Sequence, residues 1–369
     1  MLVFLKKVFL FILPVGLFFA FPLVVFIVSK EYYSVPKAIR YQTENPEALV
    51  GFAYGGDDIS FKEKLVAEKN PEVFALGASI TGEFRKEFFI ESANFVTASN
   101  AVVTINDMKS FVENLPLDNK TKLIIFGFTA RQTFFSPDMS NSKKTKMTAA
   151  TLLDRSRLIY WQYMTGKFSL KTLWEKSRSA KKIGMTAYIN NDGFRGDGSY
   201  QYDKILTDSN RKEILQSSID GFLSDYQKNR ELSGYEHPFL DTTTNSLVEL
   251  LELCKKKNIY AIGFLQPYPS EMYQEFTKFS DSNMKKTSKT LEEIFTDNDF
   301  AFFDFSDISV LGLKKNNTEF VDWGHGTDKL YLRMVMHMAE KNEELRNYVD
   351  MTKDRQLLQN TKKDFIDSL

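Results

Sequence analysis

Three residues far apart in the chain have the types that acyl-transfer chemistry uses: Ser79, Asp322 and His325. A serine hydroxyl is a weak nucleophile until a base removes its proton, and an imidazole with a pKa near ~6.5 does this at neutral pH. The imidazole in turn needs a carboxylate to fix its tautomer and stabilise its charged form. Asp322 and His325 sit three residues apart in "EFVDWGHGTDKLYLRM", a spacing that lets one loop carry both. Ser79 lies in "PEVFALGASITGEF", Pro71 to Phe84. There a buried-strand pattern, Val73 to Leu76, meets the turn Gly77-Ala78-Ser79, and a helical pattern with Phe84, Phe88 and Phe89 follows. A serine on a strand-to-helix turn is pushed out at the carboxyl edge of a sheet, beside the first N–H groups of the helix.

The elements that must bring these loops together read as alternating strands and helices. After the Ser79 strand comes "NFVTA" from Asn94, a helix from Thr104 to Leu115, and "KLIIFGF", Lys122 to Phe128. Much later the helix "NSLVELLELCKKKN" leads into "IYAIGFL", Ile259 to Leu265. A helix from Glu271 to Phe295 leads into "FAFFDF", Phe300 to Phe305. Near-continuous apolar strands between amphipathic helices predict an α/β fold with a doubly wound, mostly parallel sheet. In such a sheet the loop after the last strand and the turn after the first open on the same carboxyl edge. Thr327 or Asp328 caps the final helix.

Between the third and fourth strands stands an insertion of about residues 136–240, far beyond an ordinary connection. It opens polar, carries aromatic helical segments around Tyr160, Trp161 and Trp174, and holds "NNDGFRGDGSYQY", Asn191 to Tyr202, whose Asp-Gly and Gly-Asp-Gly pieces predict a hairpin. Phe194, Tyr200 and Tyr202 are the candidate substrate-facing residues, because sugar faces stack well on aromatic rings. A decorative surface excursion is the other reading of the insertion.

Residues 1–30 form a separate physical object. Val8 to Val28 is an uninterrupted uncharged run of the length that crosses a bilayer as a helix, and Pro14 and Pro22 are tolerable there. No small-x-small cleavage site follows, so the expectation is an uncleaved signal anchor, with the membrane lipid bilayer as partner of residues 8–28. A short N-terminal tail before a long domain places the bulk of the chain outside the cytoplasm, in the periplasm or on the outer surface. Residues 31–70 read as a juxtamembrane spacer with a Gly55-Gly56 break, Asp58 capping a helix to Lys69; 71–343 form the α/β domain, and 344–369 a charged, solvated tail.

Composition excludes other classes. Lys+Arg and Asp+Glu are both 48, so no basic nucleic-acid footprint exists. One cysteine, Cys254, falls in register with Leu247, Leu250 and Leu251 as a core residue, and no intramolecular disulfide can form. Three histidines and one cysteine leave no close-spaced metal cluster, so no metal or other cofactor is expected. Of the other histidines, His337 sits inside the last helix and His237 precedes Pro238 beside Glu236. Gly77-x-Ser79-x-x-Gly82 lacks the paired glycines of a dinucleotide loop and the Lys-Ser/Thr of a phosphate loop, and an α/β-hydrolase wants Gly-x-Ser-x-Gly.

Gly77-Ala78-Ser79 after the first strand, with Asp322-x-x-His325 before the last helix, resembles the SGNH (GDSL-type) hydrolase superfamily. With its membrane anchor the chain looks most like the bacterial envelope members, including the proteins of lipoteichoic-acid D-alanylation and of alginate O-acetylation. The resemblance covers about Pro71 to Glu340 and implies a flavodoxin-like SGNH fold. It also implies Ser79 as nucleophile, His325 as base and Asp322 as orienting acid. The first block reads Gly-Ala-Ser instead of Gly-Asp-Ser. Ala98-Ser99-Asn100 stands where the second block's glycine belongs, and Gly127-Phe128-Thr129-Ala130 replaces the third block's Gly-x-Asn-Asp. The Ser79 N–H is therefore the named oxyanion donor, with Asn100 as the candidate second. Two functions follow. One is a serine-dependent acyltransferase or esterase acting on O-acyl groups, foremost acetyl, of an envelope glycan. The other is a non-catalytic adaptor that binds a glycan or a membrane-bound O-acyltransferase.

Overall fold

The computed structural model describes residues 1–54, 58–116, 118–130, 149–179, 181–229, 241–278, 282–313, 317–363 and 365–366. The Gly55-Gly56 break, His237 and the first residues of the insertion lie outside these. The chain forms two compact units. The first comprises Met1–Asp57, Lys143–Gly196 and Gln201–Lys204; the second comprises Asp58–Ser142, Asp197–Tyr200 and Ile205–Leu369.

The first unit begins with the helix Leu2–Val28, which runs unbroken through Pro14 and Pro22 and is long and apolar enough to cross a membrane. A second helix, Val35–Glu44, follows, with Pro36 in its first turn, where the missing N–H costs nothing. A small sheet is built from β1 (Leu49–Val50), β5 (Lys182–Ile183), β6 (Asp192–Phe194) and β7 (Tyr200–Tyr202), the last beginning one residue before the chain re-enters this unit, in the order β5-β1-β6-β7. The strands β6 and β7 are neighbours joined by a short loop, as the turn chemistry predicts. Two further helices, Ala149–Met164 and Leu170–Ser179, pack with the end of the first helix around Val25, Ile159, Leu173 and Tyr188.

The second unit holds a five-stranded, wholly parallel sheet in the order β3-β2-β4-β8-β9. The strands are β2 (Val73–Gly77), β3 (Val96–Ser99), β4 (Leu123–Phe128), β8 (Tyr260–Leu265) and β9 (Ala301–Asp304). Every residue of β2, β3 and β4 is buried, as their apolar runs require. Chain order reverses at β2: the next strand pairs on one side of it and the one after on the other. The helices Ile105–Glu113 and Asp241–Lys256 match the expected ones, the first closed by a capping box between Thr104 and Asp107. Cys254 is fully buried and burial pushes its thiol up to about 12, so it is an inert core residue.

Three expectations need correction. The segment after Ser79 is not an α-helix. It is a chain of single 3₁₀ turns, Ser79–Thr81, Lys86–Phe88 and Glu91–Ala93. Phe84, Phe88 and Phe89 are all buried, Phe84 edge-on to Phe264 and Tyr331 and Phe89 stacked on Phe95 at 4.0 Å. Their helix-like spacing therefore records separate core contacts of an irregular segment. The helix expected over Glu271–Phe295 is two, Ser270–Phe276 and Asn283–Asp297. The C-terminal tail is docked, with Leu345, Val349 and Ile366 buried and the Ile366 N–H donating to Asp328 at 2.9 Å.

Candidate active site

Ser79 stands two residues beyond β2, the strand at which the sheet order reverses. Its turn is held from below. Thr81 donates its N–H and Oγ1–H to the Ala78 carbonyl at 3.2 and 3.1 Å, and Gly82 N–H donates to the Ser79 carbonyl at 2.9 Å. From β3, the Thr97 hydroxyl donates to the Thr81 carbonyl at 2.7 Å. The Thr81 methyl fits between two glycines. A Cβ on Gly77 would stand 2.7 Å from it, and a Cβ on Gly127 would stand 2.6 Å from it and 2.9 Å from the Phe264 ring. The glycine of the Gly-Ala-Ser block is thus a close-approach residue, and Gly127 is its counterpart on β4.

His325 arrives on the loop between β9 and the helix Asp328–Lys341, whose N-cap is Thr327 as expected. Asp322 Oδ1 accepts the backbone N–H groups of Gly324 and His325 at 2.8 and 2.9 Å. Its two oxygens also lie 2.9 and 3.0 Å from His325 Nδ1. His325 Nε2 lies 2.8 Å from Ser79 Oγ. With the Nδ1 proton directed at Asp322, Nε2 accepts the Ser79 O–H. The three residues named from the sequence therefore meet in one hydrogen-bonded chain.

Electrostatics follow from this geometry. Burial opposes the Asp322 charge, but hydrogen bonds from His325 and Gly324 and the His325 charge outweigh it, so its pKa lies below the usual 3.8. Burial also opposes a charged His325, yet the bond to Asp322, the Asp322 charge and that of buried Glu83 raise it above 6.5. The imidazolium that forms when a base takes a proton is therefore stabilised here.

The candidate oxyanion donors are partly placed. Gly77 pairs with Ser99 in register, so Asn100, at φ 60°, follows at the carboxyl end of the strand beside Ser79. Among the described residues, the segment from Ser79 opens with a single 3₁₀ turn, Ser79–Thr81, and not with an α-helix N-terminus. The Thr81 and Gly82 amides are committed inside the turn, so neither is a donor for an oxyanion. The aromatic residues divide. Tyr200 N–H donates to the Gly82 carbonyl at 2.8 Å, placing its backbone against the Ser79 turn. Phe194 is a core residue of the first unit, 6% exposed, with its strand paired to Val50; it is not a substrate-facing ring. Tyr202 also belongs to the first unit. His337 packs against Phe303 and Phe305.

Sequence reading missed the residues that brace the His325 loop. The helix Arg211–Lys228, within the expected insertion, carries Arg211, Ser218 and Phe222 at spacings of seven and four, hence on one face. Arg211 Nη2 donates to the Thr318 and Phe320 carbonyls at 2.6 and 3.1 Å. Ser218 Oγ accepts the Trp323 N–H at 2.9 Å, and Phe222 stacks on Trp323 at 4.2 Å. Lys62 was missed too. It is fully buried, with Nζ donating to Ser99 Oγ at 3.1 Å and to the Gly198 carbonyl, which fixes the end of β3 before Asn100. A buried ammonium is tolerable only with such partners. No protein-family model matches the chain, and no curated protein matches it.

Proposed function

We propose that this chain is a membrane-anchored SGNH-like serine enzyme that moves or removes an O-acyl group, foremost acetyl, on an envelope polysaccharide. The observation that carries the reading is the unbroken chain Asp322–His325–Ser79 at 2.9 and 2.8 Å, assembled from two distant loops at one sheet edge. The strand order β3-β2-β4-β8-β9 supports the flavodoxin-like reading, with Ser79 just beyond β2, the strand at which the order reverses and beside which such folds hold ligands. The first helix is read as the anchor, with the remainder of the chain extracytoplasmic.

In the first half-reaction Ser79 Oγ attacks the donor ester carbonyl while His325 Nε2 takes the hydroxyl proton. The tetrahedral oxyanion is met by the Ser79 N–H, with Asn100 as the second donor. The C–O bond to the donor alcohol then breaks, and His325 returns the proton to that alcohol. In the second half an acceptor hydroxyl or water gives its proton to His325, attacks the acyl-serine, and Ser79 regains its hydrogen. An absent oxyanion donor costs about 2.7–4 kcal/mol of transition-state stabilisation for either acceptor and makes a slow hydrolase, whereas a glycan hydroxyl held close to the acyl-serine offsets the loss by positioning.

The Gly127-Phe128-Thr129-Ala130 sequence, lacking the third block's Asn, supports the second reading: an adaptor that keeps the fold and binds a glycan or a membrane-bound O-acyltransferase. Fluorophosphonate labelling separates the two. The enzyme is labelled and Ser79→Ala is not. A well-folded wild type that takes no label makes the chain an adaptor. Measuring acetate release and acceptor acetylation side by side then distinguishes esterase from transferase.

A further inference from the structure

We infer that the helical hairpin Ala149–Met164 and Leu170–Ser179 is a second membrane-contacting element, seated in the same bilayer that the first helix crosses. The inference rests on reading that helix as the anchor.

Depth is the first argument. Val8 to Val28 spans ~31 Å at 1.5 Å per residue, about the thickness of a bilayer's hydrocarbon core, so the run has no length to spare. The insertion does not stop at the outer end of that run. Tyr160 Oη donates to the Phe18 carbonyl at 2.8 Å, and the Tyr160 ring lies 5.1 Å from Phe18 and 5.0 Å from Phe21. Tyr163 also meets Phe21, at 5.0 Å. Phe18 is ten residues short of Val28, ~15 Å along the axis. The stretch from Val8 to Phe18 alone, ~16 Å, cannot cross a bilayer. A helix that spans therefore carries Tyr160 and Tyr163 below the membrane surface.

The outward face of the hairpin is the second argument. Leu158, Trp161 and Met164 recur every three residues along one side of their helix, exposed by 42%, 59% and 71%. Leu170 and Trp174 continue the apolar surface on the next helix, 38% and 50% exposed. The hairpin thus presents two exposed tryptophans, a residue type enriched where proteins meet membranes, beside the spanning helix. The surrounding charges include Arg157, ion-paired with Asp154, and Lys167, Lys171 and Glu175. Arg178 lies with its guanidinium 4.6 Å over the Trp174 ring. Cations with long apolar stems around an aromatic patch suit the headgroup boundary, where the stems lie along acyl chains and the charges reach phosphate.

The fit is rigid. Buried Glu31, just past the first helix, accepts N–H groups from Ala53 at 2.8 Å and Met185 at 2.7 Å, so the anchor and the insertion share one core instead of a loose tether.

The full chain in nanodiscs of brominated phosphatidylcholine with phosphatidylglycerol tests this, because bromine quenches tryptophan only on contact depth. The chain has three tryptophans. With Trp323→Phe throughout, variants retaining only Trp161 or only Trp174 are compared with a Leu17→Trp reporter that has both hairpin tryptophans changed to Phe. All three emissions should fall against non-brominated discs, Trp161 and Trp174 by a loss comparable with the reporter's. A quenched reporter with unquenched Trp161 and Trp174 overturns the inference while leaving the anchor intact. An unquenched reporter overturns the anchor reading and this inference with it.

Discussion

Arg85 and Asp328 form an ion pair, Nη1 to Oδ2 2.9 Å, with side chains only 2% and 12% exposed. Arg85 lies six residues after Ser79 and Asp328 three residues after His325. One buried pair thus ties the segment behind Ser79 to the helix that follows His325. Asp328 also accepts Ile366 N–H, so the docked C-terminal segment closes over the same point.

Removing one member of a buried pair leaves a charge without its partner and costs about 3–5 kcal/mol. Arg85→Met should therefore lower the melting temperature of the detergent-solubilised chain and slow its fluorophosphonate labelling, because the two loops lose their common brace. The double variant Arg85→Met with Asp328→Leu should recover part of the stability, since the more buried of the two carboxylates that Arg85 pairs with is gone and only the more exposed Glu87, 3.1 Å from Arg85 Nε, is left without its cation. A double variant no more stable than Arg85→Met would count against this account.

His325 must be neutral to accept the Ser79 proton, and its pKa is raised by Asp322. Labelling of Ser79 should therefore increase with pH through a midpoint above 6.5. In Asp322→Asn the burial of His325 remains while the charge that opposed it is gone. The midpoint should fall, and the rate at neutral pH should drop by on the order of 10²–10⁴-fold as the imidazole loses its fixed tautomer. Rate–pH profiles of the two proteins give both quantities.

Arg211 and Ser218 hold the His325 loop through backbone groups alone. Arg211→Met strips the Thr318 and Phe320 carbonyls of a charged donor, a loss of about 1.5–3 kcal/mol. If its effect is to misplace His325, the labelling rate should fall by more than stability explains, and Arg211→Lys should restore only part of it, lacking the fork that reaches both carbonyls. Labelling rate and melting temperature measured together separate misplacement from unfolding.

Asp354 is fully buried near the C-terminus, and burial pushes its carboxyl up to about 7. The native state thus binds a proton that the unfolded chain releases near 3.8. The contribution of this group is greatest at low pH, declines as pH rises from about 4 through 7, and is lost above. Asp354→Asn should remove that slope and melt higher than wild type at pH 8, with little difference at pH 4. Thermal unfolding at the two pH values decides it.

What the sequence by itself determined was local. The apolar runs of β2, β4 and β8 are strands because no other element buries so many consecutive side chains on both faces. The pairing of Asp322 with His325 needs three residues and two backbone N–H groups, all inside one loop. Thr327 and Thr104 cap helices by their own hydroxyls, and the length of Val8 to Val28 carries its own meaning. Tertiary structure decided the rest. That Ser79 is the serine His325 reaches depends on strand order, which no local pattern encodes. The aromatic spacing after Ser79 imitates a helix, but Phe84 and Phe89 answer to Phe264, Tyr331 and Phe95, partners supplied by other segments, so the chain turns instead. Phe194 has the composition of a sugar platform and the surroundings of a core residue. The brace from Arg211 to the His325 loop joins residues about a hundred positions apart, and only folding brings a guanidinium from one helix to carbonyls whose positions nothing in their own stretch of sequence predicts.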